Sequence, residues 1–181
     1  MIVLTGGRGA ADPETLITEY EIQEKVNELA SRISSDYEGK EPVVIGVLKG
    51  AWIFMADLVR RLTLPVRCDF VRLRSYQGRE STGKVEILMD TTRSLEGKDV
   101  LIVEDIVDTG ITMDYLLKRL RERGVRSVEI CALLDKPSRR VVDVSIKYVG
   151  FTVPDKFIVG YGLDLDQEFR NLPYIGVISP K

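Results

Sequence analysis

The sequence predicts an α/β fold, a doubly wound and mainly parallel sheet, and three observations predict it. Short, wholly apolar runs such as Val43–Leu48 and Val100–Val103 read as strands buried on both faces. Stretches with apolar residues at helical spacing alternate with them, the pattern of βαβ units. No repeat, low-complexity tract or linker breaks the alternation, so the 181 residues read as one domain, with the chain ends, about 1–20 and 150–181, packing as a small hood.

The elements follow in order. Gly6, Gly7 and Gly9 do not complete a dinucleotide fingerprint, and the first dozen residues read as a mobile N-terminus. Thr18-Glu19-Tyr20-Glu21 matches a capping box, and Ile22, Val26, Leu29, Ala30 and Ile33 carry a helix to about Ser34. After the strand at 43–48, Ala51–Leu62 places Ile53, Ala56, Val59 and Leu62 on one helical face. Strands are expected at Val66–Leu73, Val85–Met89 and Val100–Val103. A helix is expected over Met113–Arg123, with Gly124 at its C′ position, and further strands at Val128–Leu134, Ile146–Phe151 and Phe157–Val159.

Composition narrows the chemistry. Hydrophobic residues at 44% and charged residues at 30% suffice for a core without disulfide or metal staples. The net charge of -2 offers no global attraction to nucleic acid, and the Arg119, Arg121, Arg123 and Arg126 run reads as a solvated helix face. Cys68 and Cys131 lie in strand-like runs far apart, which reads as two buried free thiols in a reducing compartment. No signal peptide, lipidation motif or long apolar run is present, so no membrane partner is expected and the location predicted is cytoplasmic. Histidine is absent, which excludes Ser-His-Asp and Cys-His catalysis and leaves acid–base work to carboxylates, lysines or tyrosines.

The most informative segment, Val103–Thr112, reads VEDIVDTGIT, with an apolar strand before it and a helix after it. Open α/β sheets bind ligands at such strand ends. Asp108, Thr109, Gly110 and Thr112 offer hydroxyls and permissive backbone at a helix N-terminus, which favours a phosphate. Glu104, Asp105 and Asp108 would repel a bare phosphate, but they suit a ligand that also carries hydroxyls, a metal ion and a removable proton. A phosphorylated ribose with magnesium and a nitrogen base has all three. The bland alternative is an acidic turn with ordinary capping.

This string resembles the phosphoribosyl pyrophosphate signature of the type I phosphoribosyltransferases, and the rest of the chain, from about Ile17 to Ile178, is similar to the hypoxanthine-guanine branch. The resemblance implies that fold and purine salvage: transfer of the phosphoribosyl group from phosphoribosyl pyrophosphate to a 6-oxopurine, giving IMP or GMP. It implies that Glu104 and Asp105 hold the ribose hydroxyls directly or through Mg2+, that Asp108 is the general base or acid, and that Asp108, Thr109, Gly110, Ile111 and Thr112 wrap the 5′-phosphate. Leu48-Lys49-Gly50 resembles the family's pyrophosphate loop, often built on a non-proline cis bond; alone it is a plain strand-to-helix turn. Ser75-Tyr76 is similar to the lid dipeptide; alone, Ser75–Lys84 is a polar hairpin loop. Lys136 would donate to the purine's 6-oxo group, Phe157 would stack on the base, and Ile158 would present backbone to the base edge; alone, Lys136 is a surface lysine and Phe157 a core aromatic. Asp164 resembles the second magnesium ligand beside the purine site, and Arg170 a pyrophosphate contact.

Gly78–Val85 reads GRESTGKV, but Val85 stands where a P-loop needs Ser or Thr, and Lys84 leads into a strand pattern. Two alternatives stay open: a regulator of the same fold that senses phosphoribosyl pyrophosphate, and a transferase for another purine such as xanthine. Partners implied are the two small-molecule substrates and a second copy of the chain, in a homodimer or homotetramer, with no nucleic acid.

Overall fold

The computed structural model describes residues 13–75 and 85–178. The N-terminal segment before Pro13, the predicted lid from Tyr76 to Lys84 and the side chain of Ser75 lie outside the described residues.

A six-stranded sheet has the order β4-β3-β2-β5-β6-β7, formed by Val85–Met89, Arg67–Ser75, Val43–Leu48, Asp99–Val107, Ser127–Asp135 and Tyr148–Thr152. Only the β3/β4 pair is antiparallel. The apolar runs are double-sided, as expected of covered parallel strands. Val44, Leu101, Val103, Cys131 and Leu133 face one core with α1 (Glu19–Asp36) and α2 (Trp52–Val59). Ile45, Val100, Ile102, Ile130 and Ala132 face the other with α3 (Ile111–Glu122). Ile102 is 0% exposed, so truncation to alanine there would cost about 2–5 kcal/mol.

Helix α1 starts at the expected capping box: Glu21 N donates to Thr18 Oγ1 and Thr18 N donates to Glu21 Oε2. Helix α2 stops at Val59, short of Leu62, yet Leu62 still packs on the core. Gly46 sits under α2, where a Cβ would lie 2.4 Å from Met55 Sδ. Helix α3 begins two residues earlier than its periodicity predicted, and Gly124 follows it with φ +71.

The hood is a separate three-stranded sheet, β1-β9-β8, made of Glu14–Ile17, Ile175–Ile178 and Phe157–Val159. Strand β7, at Tyr148–Thr152, belongs to the main sheet rather than to the hood. Val85 opens β4, a strand, where a P-loop would open a helix.

Two expectations are corrected. Cys68, at the start of β3, is free but exposed; Cys131 is buried as expected. The arginine run is not merely solvated: Arg119 and Arg123 bond Asp90, and Arg126 bonds Asp99, so they tie α3 and the turn after it to neighbouring strand ends.

Candidate active site

Strand order reverses between β2 and β5: β2 leads through α2 to β3 on one side, and β5 through α3 to β6 on the other. A crevice opens at the carboxyl ends of such neighbours. Here those ends carry Leu48-Lys49-Gly50 and the Glu104–Asp108 acids. The Leu48–Lys49 peptide is cis. Gly50 lies flush against the acids, since a Cβ there would sit 1.5 Å from Asp105 Oδ2. On its other side, Gly162 has φ +104, and a Cβ on it would meet Gly50 O at 2.1 Å. That loop is anchored by Tyr161, whose hydroxyl donates to Asp57 Oδ2 on α2 at 2.6 Å.

Strand β5 runs to Val107, so Glu104 and Asp105 stand on a rigid strand rather than in the loop. Glu104 is buried and its Oε2 has no hydrogen-bond partner. Burial, and then the neighbouring Asp105 carboxylate, push its carboxyl well above the usual range. Burial also raises Asp105, partly offset by its hydrogen bond with the Glu104 carboxyl and then by Ile106 N–H, which donates to Asp105 Oδ1. These are carboxylates short of a positive partner, and they suit a ligand that brings hydroxyl protons or a divalent cation.

The turn into α3 follows at once. Gly110 holds φ +82 as the N-cap and supplies no side-chain cap, so the first-turn N–H groups have no side chain from the cap residue to satisfy them. Asp108 Oδ1 accepts from Thr109 N, and Thr109 Oγ1 from Ile111 N at 3.5 Å. Thr112 lies in the first turn of α3. A dipole-favoured anion site and an acid therefore occupy one short loop.

Strand β6 brings the next group. Its pairing with β5 sets Val107 opposite Asp135, and Lys136 N donates to Val107 O at 2.9 Å. The Lys136 residue is only 7% exposed, so it is no surface lysine. Its Nζ donates to Lys156 O at 2.8 Å and lies 3.7 Å from Asp155 Oδ1. The adjacent Phe157 is 50% exposed, an aromatic face left uncovered, and is not the core aromatic of its bland reading. Ile158 is buried in the hood.

Asp164 and Arg170 form an ion pair at 2.6 Å, and Arg170 Nη1 donates to Gly162 O. Gln167 joins them to the pyrophosphate-type loop: its N donates to Asp164 Oδ2 at 2.8 Å, and its Oε1 accepts from Lys49 Nζ at 2.8 Å. Leu48, Lys49, Trp52, Gln167 and Arg170 line a cavity of about 400 Å³. A larger cleft of about 940 Å³ lies at the opposite, amino ends of the strands and holds none of the predicted site residues, so size does not identify the site.

The described members of the predicted site thus group around one set of strand ends: Lys49 and Gly50, Glu104 to Thr112, and Lys136, with the hood and its loop adding Phe157, Ile158, Asp164 and Arg170. Ser75 contributes the end of β3; Tyr76 lies outside the described residues. Among the described residues no three or more His, Cys, Asp or Glu gather as a metal cluster. Sequence reasoning missed Gly162 and Gln167. The Gly-Tyr-Gly run at 160–162 was a readable signal for the first, and the second had none.

Comparison with known proteins agrees with this geometry. Residues 17–166 match the family described as phosphoribosyl transferase domain. The chain is 48% identical to a hypoxanthine-guanine phosphoribosyltransferase of Staphylococcus aureus, covering 93% of this chain and 94% of that one. It is 47% identical to the bifunctional protein TilS/HprT of Listeria monocytogenes over 93% of this chain, but spans only 26% of that longer protein. Among solved structures, a hypoxanthine phosphoribosyltransferase from Staphylococcus aureus superposes with a TM-score of 0.89 at 49% identity, covering 92% of this chain and 91% of that chain. A hypoxanthine-guanine phosphoribosyltransferase from Bacillus anthracis also gives 0.89, at 46% identity, covering 94% of this chain and all of that chain.

Proposed function

Because the chain belongs to the hypoxanthine-guanine phosphoribosyltransferase family, we propose that it transfers the phosphoribosyl group of phosphoribosyl pyrophosphate to hypoxanthine or guanine, giving IMP or GMP and pyrophosphate in purine salvage. One observation carries the reading: the backbone N–H of Lys136, just after β6, donates to Val107 O at the end of β5, so the phosphate-type loop and the enclosed Lys136 leave adjacent strand ends. A sugar phosphate on the loop would therefore point its anomeric carbon toward a base held beside Lys136 and Phe157.

Each residue then has a task. Asp108 to Thr112 hold the 5′-phosphate, and Glu104 and Asp105 accept from the ribose hydroxyls. Lys49, Gly50 and Arg170 receive the pyrophosphate, with Ser75 and Tyr76. Lys136 donates to the 6-oxo group, Phe157 stacks on the base, and Ile158 N–H or C=O meets its edge. As the base attacks the cation-like sugar carbon, Asp108 takes the proton from its seven-position nitrogen. No covalent enzyme intermediate is required; the chain orients two substrates and stabilises developing charge.

The carboxylates fit magnesium: the unpartnered Glu104 Oε2 beside Asp105, and Asp164 in the loop after β8, suit ions held by one or two carboxylates and completed by ligand oxygens. Bound there with the substrate, Mg2+ would neutralise charge on the leaving pyrophosphate. The free cysteines, one of them exposed, agree with a reducing cytoplasm. Among the described residues no helix is long and apolar enough to cross a membrane. A homodimer or homotetramer is the proposed assembly, which sedimentation would establish.

The test is steady-state turnover with phosphoribosyl pyrophosphate, magnesium and hypoxanthine, guanine, xanthine or adenine. Nucleotide formation with the 6-oxopurines is expected. Failure with every base, alongside measurable binding of phosphoribosyl pyrophosphate, would make the chain a sensor instead.

A further inference from the structure

The segment after β6, residues 136–142, runs along the back of the loop that precedes α3. Lys136 N donates to Val107 O at 2.9 Å, and Val141 N and Val142 N both donate to Thr109 O at 2.9 Å. The carbonyl between these two is reached by a side chain: Arg140 Nε donates to Asp108 O at 2.9 Å, and Arg140 Nη2 to Val107 O at 3.4 Å. Three successive carbonyls of the loop therefore face this segment. In a trans peptide the N–H points opposite to the carbonyl it follows. The N–H groups of Asp108, Thr109 and Gly110 are thereby turned away from residues 136–142.

Arg140 is itself held in place. It is ion-paired with Asp135, and the two side chains are 16% and 18% exposed. The fit against the loop is close: a Cβ at Gly110 would meet Val142 O at 2.2 Å and Arg140 Cδ at 3.0 Å. A guanidinium reaches two carbonyls and a carboxylate at once because its five donors lie in a fixed plane, which a single ammonium cannot match.

We infer that Arg140 is a positioning residue for the 5′-phosphate site: it fixes the peptide planes of Asp108 and its neighbours and ties them to the strand end that carries Lys136. The inference rests on the proposed function and adds to it the residue that sets the loop's donors. Arg140 acts through backbone, so its effect is confined to the part of the ligand that the loop holds.

The experiment compares IMP with inosine, which share base and ribose and differ by the 5′-phosphate. Their dissociation constants are measured by calorimetry on the full chain, as wild type, Arg140→Met, Arg140→Lys and Asp135→Asn, with thermal unfolding of each. In Arg140→Met the IMP affinity is expected to fall about ten- to hundredfold, the scale of a lost charged donor, while inosine binding holds. Arg140→Lys is expected not to restore the ratio, and Asp135→Asn to lower it less. An unchanged IMP affinity in Arg140→Met, or equal loss for IMP and inosine, would overturn the inference. If Arg140→Met does not fold, the same ratio in Arg140→Lys and Asp135→Asn decides. A wild-type chain that binds IMP no better than inosine points instead to failure of the functional reading, and turnover reveals that separately.

Discussion

Replacing Lys136 by methionine separates the cost of this residue to the fold from its value to the reaction. Methionine keeps the length and apolar volume of the stem and removes only the ammonium. In the structure that ammonium is enclosed: the residue is 7% exposed, with Lys156 O at 2.8 Å and Asp155 Oδ1 at 3.7 Å. Asp155 is 54% exposed and rehydrates when its partner goes. The fold loses one charged hydrogen bond and is relieved of one buried charge, terms that oppose each other. Net stability should change by no more than about 1 kcal/mol, a Tm shift of about 2–4 °C. Catalysis has no such offset. A charged donor to the 6-oxo group contributes about 1.5–3 kcal/mol, so kcat/KM for hypoxanthine should fall about ten- to hundredfold. Adenine presents an amino group there and loses nothing, so the hypoxanthine-to-adenine ratio should fall by the same ten- to hundredfold, from about 10⁴ to about 10²–10³. The assay is kcat/KM for hypoxanthine, guanine and adenine in both enzymes, with the KM for phosphoribosyl pyrophosphate expected to hold. An unchanged ratio, or a wild-type enzyme that takes adenine as readily as hypoxanthine, would refute the role of Lys136.

Asp108→Asn should slow nucleotide formation by about 10²–10⁴-fold with little change in phosphoribosyl pyrophosphate binding; near-normal single-turnover rates would remove Asp108 from the proton-transfer role. Gly50→Ala places a Cβ 1.5 Å from Asp105 Oδ2, so it should destabilise the fold by about 1–3 kcal/mol and raise the KM for phosphoribosyl pyrophosphate. An alanine enzyme with wild-type Tm and KM would show that the crevice is looser than this. Asp99 is 3% exposed; burial raises its carboxyl pKa, but bonds from Arg126 and Ser127 outweigh that and hold it below the usual range. A depressed folded-state pKa stabilises fully above the unfolded value of about 3.9 and is lost as pH falls through the folded value. The stability gap between wild type and Asp99→Asn should therefore be greatest near neutrality and close at acid pH; urea titrations showing a gap that widens on acidification would contradict this.

Where structure is locally encoded, the reading from residues held. Helix α1 starts at Thr18 because its capping box is complete within four residues, and β2, β4 and β8 carry the bounds their patterns predicted. The chemistry of VEDIVDTGIT was legible for the same reason, since strand, acids, glycine and helix start lie in one run. Strands β1 and β9 escaped notice. They are four residues each and exist because Glu14 pairs with Val177 from the far end of the chain. Cys68 was misread because an alternating strand pattern does not say which of its positions the rest of the chain covers.

The sequence by itself determined which groups are available: three acids on a phosphate-type loop, a lysine after a strand, a histidine-free chain and a net charge that does not seek nucleic acid. Tertiary structure alone decided that Lys136 is enclosed, that Phe157 is left open, that Gly50 presses on Asp105 and Gly162 on Gly50, and that Arg140 holds the loop from behind. The physical reason is separation along the chain. A cap or turn is settled by neighbours a few residues apart, whereas burial and hydrogen-bond partners depend on parallel pairing and crossover connections that join segments tens of residues apart. Lys136 meets Lys156 O, and Gly162 meets Gly50 O, only once β5, β6 and the hood have taken their places.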